Sequence, residues 1–358
     1  MLERASKWMG LLAALLILPM AMRAQAAEPA PSSGYQYFEI GDPAAQRPGR
    51  TEAGLMLVGG GDWPHDAFRW FIDKAGHGRI VILRASGTIE AQDEFFKDIG
   101  GITAAQTIVF SDRKAASDPR VLEIVRNADG IFLAGGDQSN YVRFWKGTPL
   151  NAALDAHVRA GKPIGGTSAG LAILGAYSYG AMDGGSLTTE EALRDPSGSA
   201  VTLVKDFLHL PYLQNVITDS HFGARDRLGR LIVFLARLSK EEQRQDLIGL
   251  GIDEYTALCI DAHGQGRVFS GNDGKVWRVQ GRDHDWRGVW NRDAASEVEV
   301  TLIGTAGRLH FRGDASTVDN TALSPTAASE GATTRLVRVG GGELRDDGAG
   351  STSAHAHH

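Results

Sequence analysis

The chain has a single cysteine, Cys259, among 358 residues, so no internal disulfide can brace it. Set in the apolar run TALCIDA, that thiol reads as a small buried residue rather than a nucleophile. Charge of one sign is equally scarce: 37 Lys and Arg stand against 43 Asp and Glu, a formal net charge of −6. Such a balance gives no reason to expect nucleic acid or an anionic membrane surface as a partner. Long apolar runs are missing as well. The one at residues 9–22 is short of the ~20 apolar residues of a membrane span. The glycine-rich GGGDW at 59–63 lacks the Lys-Ser/Thr pair of a P-loop, which argues against nucleotide binding. Neither a metal nor a cofactor is called for.

What is present begins with Glu3, Arg4 and Lys7, the apolar run, and then Ala24-Gln25-Ala26. This charged, apolar, small-residue order is that of a secretory signal peptide. Cleavage is expected after Ala26, giving a periplasmic or secreted protein with no membrane contact after cleavage. Residues 27–52 read as an extended lead-in. From 53 to 262, apolar strand-like runs such as AGLMLVGGG, RIVILRASG, TIVFSD, GIFLAGGDQ and KPIGGTSAG alternate with helical spacing in EIVRNA and LNAALDAHVRAG. Strands apolar throughout and separated by helices imply an α/β fold, a mostly parallel sheet covered on both faces. Its sites are expected beyond the carboxyl ends of the strands. From 263 to 345 the runs GRVFSG, VWRVQG, VEVTLIG, RLHFRG and TRLVRVGG predict a β-rich C-terminal portion, with a polar loop near 313–333. Residues 346–358 read as a disordered tail.

The stretch GGTSAG at 165–170 fits G-x-S-x-G, a sharp strand-to-helix turn that exposes the serine Oγ and offers the next N–H to an oxyanion. A nucleophilic Ser168 needs a base. Among 11 histidines, His221 stands out. It follows the strand-like NVITD and precedes the helical RDRLGRLIVFLARL, which puts it on the same rim as Ser168. Arg225, Arg227 and Arg230 open that helix, where the dipole disfavours cations. Three there suggest that an anion is expected, such as a substrate carboxylate gripped by guanidinium forks. A solvated helix face is the bland alternative.

In this order, AGGDQ, GGTSAG, DSHFGARDRLGRL and GLGIDEYTAL make residues 53–262 resemble the cyanophycinases and related dipeptidase-E-like serine peptidases. The resemblance implies a class-I-amidotransferase-like, flavodoxin-like α/β fold and a Ser/His/Glu catalytic group. It also implies cleavage of cyanophycin, a polyaspartate bearing arginine on its β-carboxyls, into β-aspartyl-arginine dipeptides. Ser168 matches the nucleophile and His221 the base. The family's glutamate lies beyond a GGS stretch downstream of the serine. DGGSLTTEEAL offers Glu190, which is favoured, with Glu191 and Asp183 as alternatives. Gln138, Asp219, Arg225, Arg227 and Arg230 match positions lining the substrate pocket. Ser220 departs from the family's glutamine and leaves the substrate open. Acyl transfer is then implied, with the oxyanion held by the N–H of Ala169 and one from the 135–137 turn, at Gly136. An inactive binding protein on the same fold and an esterase using the same turn remain as rivals. Oligomeric state is open, a homodimer being one option.

Overall fold

A computed structural model describes residues 34–311, 323–325 and 331–346. The expected signal peptide at 1–26, the first part of the lead-in, most of the polar loop and the tail beyond Asp346 lie outside the described residues. Two sheets carry the fold. The first runs in the order Tyr35–Gly41, Ala104–Phe110, Arg79–Arg84, Gly130–Leu133, Ile164–Thr167, Gly54–Val58, Thr256–Asp261, Gln265–Ser270, Arg308–Phe311, Leu323–Pro325. From Ala104–Phe110 to Gly54–Val58 its strands are parallel. On both flanks it continues antiparallel.

Side chains alternate across these strands. Leu55, Leu57, Val81, Leu83, Ile131 and Leu133 face a core shared with Val121, Val125, Tyr141, Trp145 and Leu154 of the covering helices. Met56, Val58, Ile80, Ile82 and Phe132 face the other way, against Phe68, Phe71 and Ile72 of helix His65–Lys74. Both faces are covered, which is why the parallel strands are apolar at every position. Cys259 is buried on this second face, and burial pushes its thiol pKa well up, out of reach of thiolate chemistry.

The second sheet runs Glu343–Asp346, Ala332–Gly340, Ala295–Ile303, Val276–Gly281, Ile248–Ile252, Val216–Asp219, Tyr177–Tyr179, Leu203–Lys205. Val216–Asp219 is parallel to both of its neighbours, and the remaining pairs are antiparallel. Helix Leu228–Glu242 covers one face through Leu231, Ile232, Phe234 and Leu235. The other packs Leu250, Ile252 and Val276 against Leu258 and Val268 of the first sheet. Strands after residue 263 extend both sheets. Helix behaviour after Ser168 is briefer than its spacing suggests: Ala169–Ala172 makes one turn before the chain enters strand Tyr177–Tyr179.

Candidate active site

Ser168 follows a parallel strand of the first sheet, Ile164–Thr167, at φ 54°, ψ −114°. A non-glycine residue held there costs about 1–3 kcal/mol and persists only where the surroundings fix it. The flanking glycines explain how the turn closes. A β-carbon on Gly170 would overlap the carbonyl oxygen of Leu133. The serine is thereby lifted above the sheet, with the Ala169 N–H at the start of the next turn and free of an intrahelical partner.

His221 and Glu254 follow strands of the second sheet, Val216–Asp219 and Ile248–Ile252. The three side chains form a line across the junction of the sheets. Ser168 Oγ lies 2.7 Å from His221 Nε2, and His221 Nδ1 lies 2.6 Å from Glu254 Oε1. A carboxylate can only accept, so Nδ1 carries the proton and Nε2 is left to accept from the serine hydroxyl. Burial lowers the His221 pKa below the ordinary 6.5; the Glu254 hydrogen bond opposes the shift, and Arg225 and Arg227 add to it. The imidazole is therefore neutral at pH 7, as a general base must be.

One short segment locates all three positions. The Ser168 N–H donates to Val58 O at 3.2 Å, His221 N–H to Gly59 O at 2.7 Å, and Tyr255 N–H to Gly60 O at 2.8 Å. Like Ser168, His221 and Tyr255 have positive φ, 47° and 54°. Gly60, at φ 101°, packs directly under the imidazole, where a β-carbon would overlap the ring. The GGGDW stretch is thus a bed for histidine and glutamate.

Glu190 does not join this line. It is exposed on helix Thr189–Arg194, 3.6 Å from Arg194 one turn on. Glu191 closes a capping box with Thr188, accepting from its N–H at 2.9 Å. TTEEAL is a helix start, and its acids serve the helix. Asp183 is exposed beside them in the 181–186 loop. The family motif GLGIDEYTAL already held the glutamate that reaches His221. Applied to Glu254, the criterion that singles out His221, a polar residue just past a strand's carboxyl end, finds it.

A cleft of about 280 Å3 opens beside Ser168 and His221. Gly136, Gln138 and Ala169 line one side, and Asp219, Ser220, Arg225 and Arg227 line the other. Arg230 does not line it. Its guanidinium, 1% exposed, donates to Asp219 at 2.8 and 2.5 Å and to Leu187 O at 2.9 Å, and lies 5.2 Å over the Tyr179 ring. Arg227 donates to Ser220 O at 2.7 Å and Asp219 at 3.3 Å. Both arginines answer Asp219, which offsets their unfavourable place at the helix start. The helix itself begins at Leu228, so Arg225 and Arg227 precede it. Only Arg225 is exposed. Among the described residues, no group of three or more His, Cys, Asp or Glu is placed to hold a metal ion.

Fold and site together define an α/β protein with a serine–histidine–carboxylate line at the carboxyl ends of strands from two adjoining sheets. The chain belongs to peptidase family S51, whose model matches residues 55–266. It is 34% identical over 222 residues to a cyanophycinase of Synechococcus elongatus, covering 62% of this chain and 62% of that one. Against a cyanophycinase of Trichormus variabilis it is 28% identical over 228 residues, 61% of this chain and 70% of that one. The chain thus spans under two thirds of the Synechococcus relative's length. A crystal structure of a peptidase from an acI-B1 Actinobacterium aligns with 83% of this chain and 98% of its own, at 19% identity and TM-score 0.42.

Proposed function

We propose that the protein is an exported serine peptidase that hydrolyses cyanophycin, or a related aspartyl peptide, through an acyl-enzyme. The observation that carries this is the continuous line from Ser168 Oγ through His221 to Glu254, at 2.7 and 2.6 Å. His221 Nε2 takes the serine proton as Oγ attacks the scissile carbonyl. Glu254 fixes the tautomer and stabilises the imidazolium. The N–H groups of Ala169 and Gly136 receive the developing oxyanion; each such donor is worth roughly 10²–10³ in rate. The imidazolium then gives its proton to the leaving amine, the C–N bond breaks, and water repeats the sequence on the ester.

Substrate choice is supported by the relatives' activity and by the cleft's charge. Asp219 neutralises one of the two buried arginines that pair with it, Arg227 on the cleft and Arg230 behind it, and with the exposed Arg225 the balance beside the cleft is positive. In cyanophycin the aspartyl carboxyls are held in amide bonds, so the free carboxylates that suit such a cleft are those of its arginines. A simpler aspartyl peptide would offer its own side chain. Export rests on the order of residues 1–26. The test is to incubate the purified protein with insoluble cyanophycin and identify released β-aspartyl-arginine. Release that Ser168→Ala abolishes is the expected result. Binding without release would mean an inactive binder, and turnover of simple esters alone an esterase.

A further inference from the structure

We infer that Arg84 and Tyr141 are positioning residues that aim the Gly136 N–H at the reacting carbonyl oxygen. The inference rests on the serine-peptidase function proposed above. Arg84 ends strand Arg79–Arg84 with its side chain nearly buried, and its guanidinium is spread over three backbone carbonyls: Ser86, Thr88 and, at 3.3 Å, Gly135. The Tyr141 hydroxyl, on a wholly buried side chain, shares its proton between Ala134 O at 2.7 Å and Gly135 O at 3.1 Å. The Gly135 carbonyl is therefore gripped by two donors.

In a trans peptide the N–H points opposite to the carbonyl. With the Gly135 oxygen drawn to Arg84 and Tyr141, the Gly136 N–H points away from both. Gly136 lines the cleft with Ser168, Ala169 and His221. Gly135 abuts the nucleophile: a β-carbon there would lie 3.5 Å from Ser168 Cβ and 3.9 Å from its Oγ. Two successive glycines, the second at φ 149°, leave this peptide free to rotate unless it is held from outside. Rotated, it would present a carbonyl oxygen to the developing negative charge instead of a donor. Preorganised donors matter because their reorientation is not left to the moment of reaction.

A small fluorophosphonate tests this without cyanophycin. Ser168 Oγ attacks phosphorus, the O–P bond forms, the P–F bond breaks and fluoride leaves, while the serine proton passes to His221. The phosphoryl oxygen takes the place of the oxyanion. Arg84→Met and Tyr141→Phe should each slow phosphonylation tenfold or more, and Arg84→Lys should recover part of the loss. The low-field proton signal of His221 Nδ1 should stay unchanged, which a general collapse of the site would not allow. Variants that keep this signal and react at the wild-type rate overturn the inference, as does a rate loss accompanied by loss of the signal. Should Arg84→Met not fold, Tyr141→Phe, which removes a single oxygen, decides alone. A wild-type protein inert to the reagent would overturn the peptidase proposal itself, a result distinct from equal rates in wild type and variants.

Discussion

Two polar trios meet at the same rim and are built on opposite plans. Ser168, His221 and Glu254 form a thin line with one hydrogen bond per step, and the Glu254 side chain is 38% exposed. Asp219, Arg227 and Arg230 form a dense knot, closed from solvent, in which the Asp219 carboxylate also accepts the Ser220 N–H. The line keeps the His221 Nε2 acceptor aimed at the Ser168 hydroxyl, which is the condition for transferring its proton. In the knot, donors and acceptors are spent on one another. Of the three arginines, Arg225 is the exposed one that stands outside the knot, while Arg227 and Arg230 hold the wall.

Breaking the line should have the largest effect. Ser168→Ala and His221→Ala should lower kcat on cyanophycin by ~10⁴-fold or more. Glu254→Gln should cost on the order of 10⁴-fold, because the histidine loses its tautomer. The thermal midpoint should stay close to wild type in Ser168→Ala. Near-normal hydrolysis by Glu254→Gln would dissolve the line.

Next comes the knot, whose loss should register in stability. Arg230→Met leaves Asp219 with one guanidinium in a buried site, where removing a partner costs ~3–5 kcal/mol. Urea unfolding measures it; a change within ~0.5 kcal/mol would mean the knot carries no strength.

Arg225→Gln should change stability little, within ~0.5 kcal/mol. It should lower kcat/KM tenfold or more on an anionic substrate while sparing a neutral ester, since a charge-assisted hydrogen bond is worth ~1.5–3 kcal/mol. Its pH profile sharpens the point. Arg225 disfavours imidazolium at His221, so removing it raises that pKa. Activity requires the neutral ring and falls as pH drops through the pKa, so the acid limb should move to higher pH. A limb that stayed put or moved down would remove Arg225 from the electrostatics of the base.

The smallest effect is expected at Glu190. With its carboxylate on an exposed helix and paired to Arg194, Glu190→Gln should leave cyanophycin hydrolysis within about twofold, surface changes of this kind being nearly neutral. A deep loss would return it to the catalytic group.

Ser168 and His221 were legible because each follows a strand directly, and apolar strands show plainly in a sequence. Glu254 was harder to see, although its motif was visible, because a nearer pair of acids offered itself. Glu191 has a local use in the helix's capping box and Glu190 in a pair with Arg194, which sequence distance from the serine does not reveal. The arginine run was legible as unusual, but not that Arg227 would join Arg230 on Asp219. Asp219 pairs with residues eight and eleven positions on only because the chain turns back over 220–227 before the helix begins. The parallel centre of the first sheet could be read from strands apolar at every position. Nothing local marks that Val216–Asp219 and Ile248–Ile252 leave for a second sheet, since strand pairing is set by packing over long separations.

Val58, Gly59 and Gly60 offer three successive carbonyls to the backbone at Ser168, His221 and Tyr255. Members of the line lie 53 and 33 residues apart in the chain, yet none is located by measuring along it. They share one datum, as machined parts are gauged from one face, so errors in the intervening segments do not accumulate at the site. Loops such as 181–186 and the strands beyond 263 are then free to lengthen, shrink or acquire new partners without retuning the chemistry. Changes in those segments can alter what the cleft grips while leaving the Ser168–His221–Glu254 line in place.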